Sequence, residues 1–199
     1  MKPRKPSEPG AAPASEGDAA PGERPSPRIR PTRADWHVRP AAHEDVEQVA
    51  AAVAKLLVEL GGKAPDLQAM RETTQALLEE PEAGVVLIAT AEGVVVGMLG
   101  VSWQTAIHIP GRYALIQDLW VHPAWRSNTV GATLLEALFE RAREERIERI
   151  EVGLPKDSFA GLHATEAFYR RNGFIPLGPR MRLVVPRRPV LARRKQQGE

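Results

Sequence analysis

Two apolar patterns alternate along the middle of the chain, and together they restrict the fold more than any other feature. Apolar residues recur at spacings of three and four over residues 46–60 and again over 130–142, which is typical of a helix with one buried face. Apolar runs of strand length, such as residues 84–91, lie between these segments. Strands mixed with helices predict an α/β or α+β layered domain, since each element must bury its apolar face against another layer.

The predicted order of elements is β-α-α-β-β-β-α-β-α-β-β, on a largely antiparallel sheet. Glu92-Gly93 predicts a turn that pairs the second and third strands as a hairpin. Gly173 stands where a left-handed residue would end the last helix. The strands are predicted at residues 36–39, 84–91, 94–104, 113–121, 149–153, 174–177 and 181–185, and the helices at 46–60, 67–78, 130–142 and 163–172.

The two ends of the chain differ from the middle in composition and charge. Residues 1–33 contain eight prolines and too few large apolar side chains to offset the entropy of ordering, so we predict a disordered tail. Residues 187–199 indicate a second, basic tail, which leaves one domain over 34–186. This domain has 15 Lys and Arg against 20 Asp and Glu. An acidic domain is a poor nucleic-acid binder and a plausible host for a cationic small molecule.

Several classes of site and location are excluded by what the sequence lacks. There is no cysteine, which excludes disulfides, thiolate nucleophiles and cysteine-ligated zinc. The five histidines show no metal-binding spacing, so we expect no metal. No apolar run approaches the roughly 20 residues of a membrane-spanning helix, and the first thirty residues show no secretory signal. We therefore expect a cytoplasmic protein without a membrane partner.

A strand that runs into a polar loop and then into a helix carries the first chemical signal, over residues 115–135. The free amides at the start of such a helix, with the positive end of its dipole, form an anion site. Arg126 can add a charged hydrogen bond, and Gly131 lets the backbone approach a ligand closely. The alternative is an ordinary connection between a strand and a helix.

Two sequence motifs, one in this segment and one further along the chain, indicate a resemblance to a known family. Val-x-Pro-x-x-Arg-x-x-x-x-Gly occupies residues 121–131, and Phe-Tyr-x-x-x-Gly-Phe occupies 168–174. With the opening Val-Arg-Pro-Ala at 38–41, the chain over nearly all of 36–186 resembles the GNAT superfamily of acyl-CoA N-acyltransferases. The resemblance implies a mixed, mostly antiparallel sheet that is splayed between its fourth and fifth strands, with helices on both faces.

The resemblance also implies where acetyl-CoA, as co-substrate, would bind. It would enter the split between the strands at 113–121 and 149–153, and its pantetheine would pair with the backbone of Leu119, Trp120 and Val121. Its diphosphate would lie on the amides of the loop formed by Arg126, Ser127, Asn128, Thr129, Val130, Gly131 and Ala132. Phe168 is expected beside the coenzyme. Thr129 stands where the family usually has glycine: if φ is positive there, binding weakens, whereas a helical Thr129 would be harmless.

Candidate catalytic residues follow from the same resemblance. Tyr169 matches the family's general acid, which protonates the departing thiolate; the alternative is an aromatic ring packed on the sheet. The N–H of Trp120 or Val121 would stabilise the oxyanion. Asp118 is the candidate base or anchor for the substrate ammonium; a carboxylate that caps a loop or pairs with an arginine is equally open. His122 and His108 rank below it, and Glu59 is either an acceptor residue or a solvated helix end.

Three functions remain open at this stage. The leading one is acetyl transfer from acetyl-CoA to the primary amine of a small molecule. The second is a protein acetyltransferase that modifies lysine side chains or N-termini, with the tails as docking arms. The third is a non-catalytic domain of the same fold that has lost coenzyme binding through Thr129 and acts by protein contact. A homodimer is a further expectation, since dimers are common in the family.

Overall fold

The computed structural model describes residues 36–63, 65–178 and 181. Five strands and four α-helices are formed in these ranges, with short 3₁₀ turns at His43–Asp45 and Pro123–Trp125. The strands are β1 (His37–Pro40), β2 (Gly84–Ala91), β3 (Val94–Ala106), β4 (Ile109–Val121) and β5 (Ile150–Val152). The helices are α1 (Val46–Glu59), α2 (Leu67–Glu79), α3 (Val130–Glu144) and α4 (Leu162–Arg171).

The strands form one sheet in the order β1-β2-β3-β4-β5. All neighbours pair antiparallel until the last pair, β4 with β5, which is parallel. That parallel ladder is short, and it ends after Ile116 pairs with Val152. Residues 118–121 of β4 lie beyond it and pair only with β3 among the described strands. The sheet is therefore mixed and splayed between its fourth and fifth strands, which confirms the predicted fold class.

The sheet separates two apolar cores. One core contains α3 residues such as Leu134 and Leu138 together with Tyr169 of α4. The other contains Val49 and Ala52 of α1 with Trp120 of β4. Gly97 shows how closely α3 packs, because a Cβ atom there would lie 2.8 Å from Cγ1 of Val130. Helices therefore cover both faces of the sheet, as expected from the two apolar patterns.

A β-bulge at Gln117 reverses the alternation of side chains along β4. Gly100 pairs with Asp118 and Val101 pairs with Ile116, so Gln117 has no opposite residue. Ile116 packs in the α3 core before the bulge, and Leu119 and Val121 pack against the same core after it. Asp118 and Trp120 consequently face α1. The alternation of side chains along a strand predicts that Asp118 and Trp120 share a face, but the sequence analysis did not predict the bulge.

Polar contacts hold the first half of α1 on the sheet. Asp45, which is buried, accepts two hydrogen bonds from the Arg39 guanidinium, at 2.6 and 2.9 Å. These bonds lower the pKa of the Asp45 carboxyl. Gln48 accepts a 2.8 Å bond from the Val95 amide and donates a 3.2 Å bond to the Gly93 carbonyl, so it ties α1 to the β2–β3 turn. These contacts fix the helix that carries Glu59.

The end of the chain differs from the prediction. Residues 174–177 do not form a strand: Ile175 and Leu177 are exposed, and Pro176 has no amide to donate to a ladder. Met181 is also outside any strand, and the rest of the predicted strand at 181–185 lies outside the described residues. Both predicted tails lie outside them as well.

None of the helices in the described ranges has the length and apolar character required to cross a membrane.

Candidate active site

The split in the sheet lies next to the loop that opens α3. Leu119, Trp120 and Val121 form the end of β4, beyond the last pairing with β5. A cavity of about 960 Å³ is lined mainly by β5, α4 and the segments next to them, and Tyr169 is among its lining residues. Residues 122–129 then lead into α3. The fold thus brings the predicted coenzyme residues of β4 and the loop to one end of the sheet.

The start of α3 offers unpaired amides. The first bond of the helix joins the Thr133 amide to the Thr129 carbonyl, at 2.9 Å. The amides of Val130, Gly131 and Ala132 come before this bond, and no acceptor for them is found among the described residues. Together with the positive end of the helix dipole, these donors form a site for an anion such as a diphosphate.

Thr129 has the left-handed conformation that the family's glycine would adopt freely. Its φ is 63° and its ψ is −5°, and Ser127 two residues earlier also has a positive φ of 68°. A β-branched residue in this region is strained. The Thr129 hydroxyl donates to the neighbouring Asn128 carbonyl at 2.6 Å. Of the two alternatives for Thr129, the positive φ is therefore the one found.

Gly131 permits contact between α4 and the start of α3. A Cβ atom at this position would lie 3.2 and 3.3 Å from two ring atoms of Phe168 and 3.7 Å from Cγ2 of Val121. The group that approaches the Gly131 backbone closely is therefore the Phe168 ring, whereas the sequence analysis expected a ligand there. Phe168 thereby lies against the first turn of α3.

Arg126 directs its guanidinium toward α1. Its Nε donates to the Val121 carbonyl at 2.9 Å, and its Nη2 donates to Oε2 of Glu59 at 2.5 Å. Glu59 also accepts a 3.2 Å bond from Nε1 of Trp120. Glu59 is therefore not a solvated helix end but the point where α1, β4 and the loop meet.

A cavity of about 510 Å³ lies on the α1 face of the sheet, and we call it the α1-side cavity. Its walls contain one carboxylate, one ammonium and two aromatic rings. The Lys55 ammonium lies 5.5 Å from the centre of the Trp120 ring, within range of a cation–π contact. The His122 ring packs edge-on to the same indole, with centres 5.8 Å apart. The lining residues are Ala54, Lys55, Val58, Glu59, Trp120, His122 and Pro123.

Asp118 lies on the same face of the sheet. A Cβ atom on Gly100, its partner in β3, would be 3.7 Å from Oδ2 of Asp118 and 3.8 Å from Cε of Met98. No arginine or lysine is bonded to its carboxyl in the described part of the chain. Burial raises the pKa of Asp118 above the ordinary value. Neither a cap nor an ion pair accounts for this carboxylate, which leaves it available as a proton acceptor.

Tyr169 is fixed by the turn that ends α4. The Gly173 amide donates to the Arg170 carbonyl and the Phe174 amide donates to the Tyr169 carbonyl, both at 3.1 Å. With φ of 89° at Gly173, this is a Schellman motif, and the predicted left-handed C-cap is confirmed. The rings of Tyr169 and Phe174 make the accompanying apolar contact, with centres 5.2 Å apart.

The Tyr169 side chain is 6% exposed, and burial raises the pKa of its hydroxyl. It is therefore a neutral phenol at physiological pH, able to donate a proton. No hydrogen bond to this hydroxyl is found within the described residues. Tyr169 packs in the α3 core, whereas Asp118 faces α1, so the two catalytic candidates lie on opposite faces of the sheet.

The histidines are separated by the structure. His122 lines the α1-side cavity and accepts a 3.2 Å bond from the Ala124 amide at Nδ1. His108 lies in the β3–β4 turn. That turn is about 30 Å from Asp118 along β4, given the rise of a strand. His108 is thus remote from the site.

Two features were missed by the sequence analysis. Lys55 was not considered, although it is a cation four residues before Glu59 and so on the same face of α1. The bulge at Gln117 could have been found from the apolar residues of β4, which shift from even positions (Ala114, Ile116) to odd ones (Leu119, Val121).

Comparison with known proteins adds a family and a relative. Residues 50–174 match the model of the acetyltransferase (GNAT) family. An aminoalkylphosphonate N-acetyltransferase from Salmonella typhimurium is 34% identical over 140 residues, which cover 69% of this chain and 83% of the relative.

Solved structures share the fold at lower identity. A predicted acetyltransferase from Clostridium acetobutylicum, determined with acetyl-CoA, superposes with a TM-score of 0.63 at 18% identity, over 75% of this chain and 96% of that chain. An aminoglycoside acetyltransferase from an uncultured soil sample gives a TM-score of 0.62 at 19% identity, over 76% and 99% of the two chains.

Proposed function

The chain belongs to the GNAT family and is an N-acetyltransferase, and we propose that it transfers the acetyl group of acetyl-CoA to the primary amine of a small molecule. The observation that carries the choice of a small acceptor is the α1-side cavity. Its volume of about 510 Å³ is within the range of small-molecule sites. Glu59 contributes a carboxylate to its wall, and Asp118 lies on the same face of the sheet.

The loop before α3 suits the diphosphate of acetyl-CoA. The amides of Val130, Gly131 and Ala132, which have no acceptor among the described residues, supply donors. The rest of the loop, from Arg126 to Thr129, leads directly into this first turn of α3 and would border the same diphosphate. Leu119, Trp120 and Val121 of β4 have no partner strand on the β5 side among the described residues, and their backbone groups would pair with the pantetheine. Phe168, packed against Gly131, supplies an apolar flank. Coenzyme use is further supported by the acetyl-CoA complex of the Clostridium acetobutylicum neighbour.

The chemical step requires three things of the protein. Acetyl-CoA, when bound, supplies an acetyl group activated as a thioester. Asp118 accepts the proton that an ammonium must lose before its nitrogen can attack, and the raised pKa of its carboxyl brings it closer to neutral pH as a base. The N–H of Trp120 or Val121 stabilises developing negative charge on the carbonyl oxygen. Tyr169, held neutral by burial, donates a proton to the leaving sulfur.

A narrower substrate class is supported by a specific observation. Lys55 places a cation in the wall that also contains Glu59. An amine that also carries an acidic group would satisfy both charges, and the substrate named for the Salmonella relative, an aminoalkylphosphonate, belongs to this class. We therefore propose acid-bearing amines as the first acceptors to test, ahead of polyamines.

The experiment is a turnover screen that follows release of the CoA thiol. The panel contains aminoalkylphosphonates, amino acids, polyamines, aminoglycosides and lysine-containing peptides. We expect turnover with a small amine and little with peptides. Turnover that is confined to peptides would favour a protein acetyltransferase instead. Failure of the full-length protein to bind acetyl-CoA in a thermal-shift assay would favour a non-catalytic domain.

A further inference from the structure

The Arg126–Glu59 ion pair joins the two halves of the proposed site. Arg126 belongs to the loop that would hold the diphosphate, and Glu59 belongs to the wall of the α1-side cavity. The two side chains are bonded at 2.5 Å, and Trp120 occupies the second oxygen of Glu59 at 3.2 Å. In this arrangement the Arg126 guanidinium is bonded to Glu59 and to the Val121 carbonyl, and both oxygens of the Glu59 carboxylate accept hydrogen bonds.

The ion pair is weak enough for Arg126 to leave Glu59 and bind another anion. The Arg126 side chain is 48% exposed and the Glu59 side chain 34% exposed, and ion pairs this close to water are weak. A diphosphate carries more negative charge than one carboxylate and accepts several charged hydrogen bonds from a guanidinium. A bound diphosphate would therefore compete well for Arg126.

We infer that Glu59 is shared between the two substrates: it pairs with Arg126 while the coenzyme site is empty, and it is released to bind the acceptor's ammonium when the coenzyme takes Arg126. The inference rests on the proposed function, since it assumes that Arg126 binds the diphosphate. Trp120 donates to Glu59 and holds the carboxylate against the cavity after Arg126 leaves. Once Arg126 has moved to the diphosphate, the Glu59 carboxylate next to the cavity has no cation bound to it. The acceptor's ammonium then takes the place of the guanidinium.

This exchange couples the two binding events. The coenzyme must break the pair in order to bind, and the acceptor gains a free carboxylate once the pair is broken. Because coupling between binding sites is reciprocal, an acceptor bound at Glu59 also strengthens binding of the coenzyme. Glu59 thereby links the two sites, so that each substrate binds more tightly when the other is present.

The test measures the dissociation constant of CoA by titration calorimetry for the full-length protein and its variants. Glu59→Gln keeps the size of the side chain and an oxygen for Trp120, but it removes the charge that holds Arg126. We expect CoA to bind about two- to fivefold more tightly to this variant, the range that corresponds to a surface ion pair. We expect Arg126→Ala to weaken binding. The matched control is Glu47→Gln, which removes another paired carboxylate on α1, about 18 Å along the helix axis.

The double variant separates release of Arg126 from simple loss of negative charge. If Glu59 acts by holding Arg126, Glu59→Gln has no effect on CoA binding when Arg126 is already alanine. An equal gain in both backgrounds, a similar gain in Glu47→Gln, or no gain in Glu59→Gln alone would overturn the inference. If Arg126→Ala leaves the CoA affinity unchanged, Arg126 is not a diphosphate ligand, and the coenzyme assignment fails with it.

Kinetics test the second half of the inference with the acceptor that gives the highest turnover in the screen. We expect Glu59→Gln to raise KM for that amine at least tenfold while kcat changes less than threefold, as for a residue that binds the acceptor but takes no part in the chemical step. An unchanged KM would show that Glu59 does not bind the acceptor. If the wild-type protein turns over the amine and Glu59→Gln has an unchanged KM, the proposed function stands and only the inference about Glu59 fails.

Discussion

Burial of Asp118, the proposed base, lowers the stability of the folded protein at neutral pH. The Asp118 carboxyl lies beside Gly100 of β3, and burial raises its pKa. The folded protein therefore keeps the proton on Asp118 at pH values where the unfolded chain has already lost it. The free energy of unfolding falls as the pH rises through that interval and stays lower above it. A side chain that lowers the free energy of unfolding at neutral pH does not serve to stabilise the fold.

We predict that Asp118→Asn raises the free energy of unfolding at pH 7 and lowers kcat/KM by about a hundredfold or more, the range for loss of a general base. Urea denaturation between pH 4 and pH 8 would show the fall in stability for the wild-type protein and a reduced fall for the variant. Equal activity in the two proteins would reject Asp118 as base and as ammonium anchor.

Tyr169 can be separated from its packing role by removal of one oxygen. Tyr169→Phe preserves the contact with Phe174 and the turn at Gly173. We predict a ten- to thousandfold fall in kcat, with CoA affinity unchanged and the free energy of unfolding altered by less than about 1 kcal/mol. Tyr113→Phe is the matched control, because Tyr113 is the other tyrosine of the chain and lies on β4 before the ladder with β5, outside the split. Similar kcat values for wild type and Tyr169→Phe would make Tyr169 a packing residue.

The loop before α3, where we propose that the diphosphate binds, contains a strained residue at Thr129. Its φ of 63° is costly for a β-branched residue, whereas glycine adopts it freely. We predict that Thr129→Gly raises the free energy of unfolding by roughly 0.5–1 kcal/mol, the strain relieved less the entropy that glycine adds to the unfolded chain. CoA should bind at least as tightly as in the wild type.

Thr133→Gly provides the comparison for that substitution, since Thr133 lies inside α3 with helical geometry. Glycine there should destabilise the protein. Thermal and urea denaturation of the three proteins measure both effects. If Thr129→Gly is as destabilising as Thr133→Gly, the left-handed conformation at 129 is not a source of strain.

Helices and strands could be predicted from the sequence where the spacing of nearby residues determines them. The spacing of Val130, Leu134 and Leu138 was sufficient to predict α3, and Gly173 was sufficient to predict the end of α4, because both depend on neighbours in sequence. The strand predicted at 174–177 was wrong, since apolar character alone does not provide a partner strand. The partner of Arg126 was also beyond prediction, because Glu59 is 67 residues away in sequence.

At the level of the whole protein, both proposed substrate sites lie on one sheet, and the described residues contain all of the groups on which the two proposals depend. The tails predicted at 1–33 and 187–199 lie outside those residues. We predict that a chain limited to residues 34–186 keeps its midpoint of thermal unfolding within a few degrees and its CoA affinity within twofold. Loss of folding or of most of the affinity in the shortened chain would assign the tails a structural role.

The central claim is that the protein moves an acetyl group from acetyl-CoA to a small primary amine. Mass spectrometry of products tests it directly, with trideuterated acetyl-CoA and the small amines of the panel offered together with a lysine peptide in one reaction. The account predicts that the deuterated acetyl group is recovered on the nitrogen of a small amine, and that Tyr169→Phe slows its appearance at least tenfold. Label recovered only on the peptide, or only as free acetate, would contradict it.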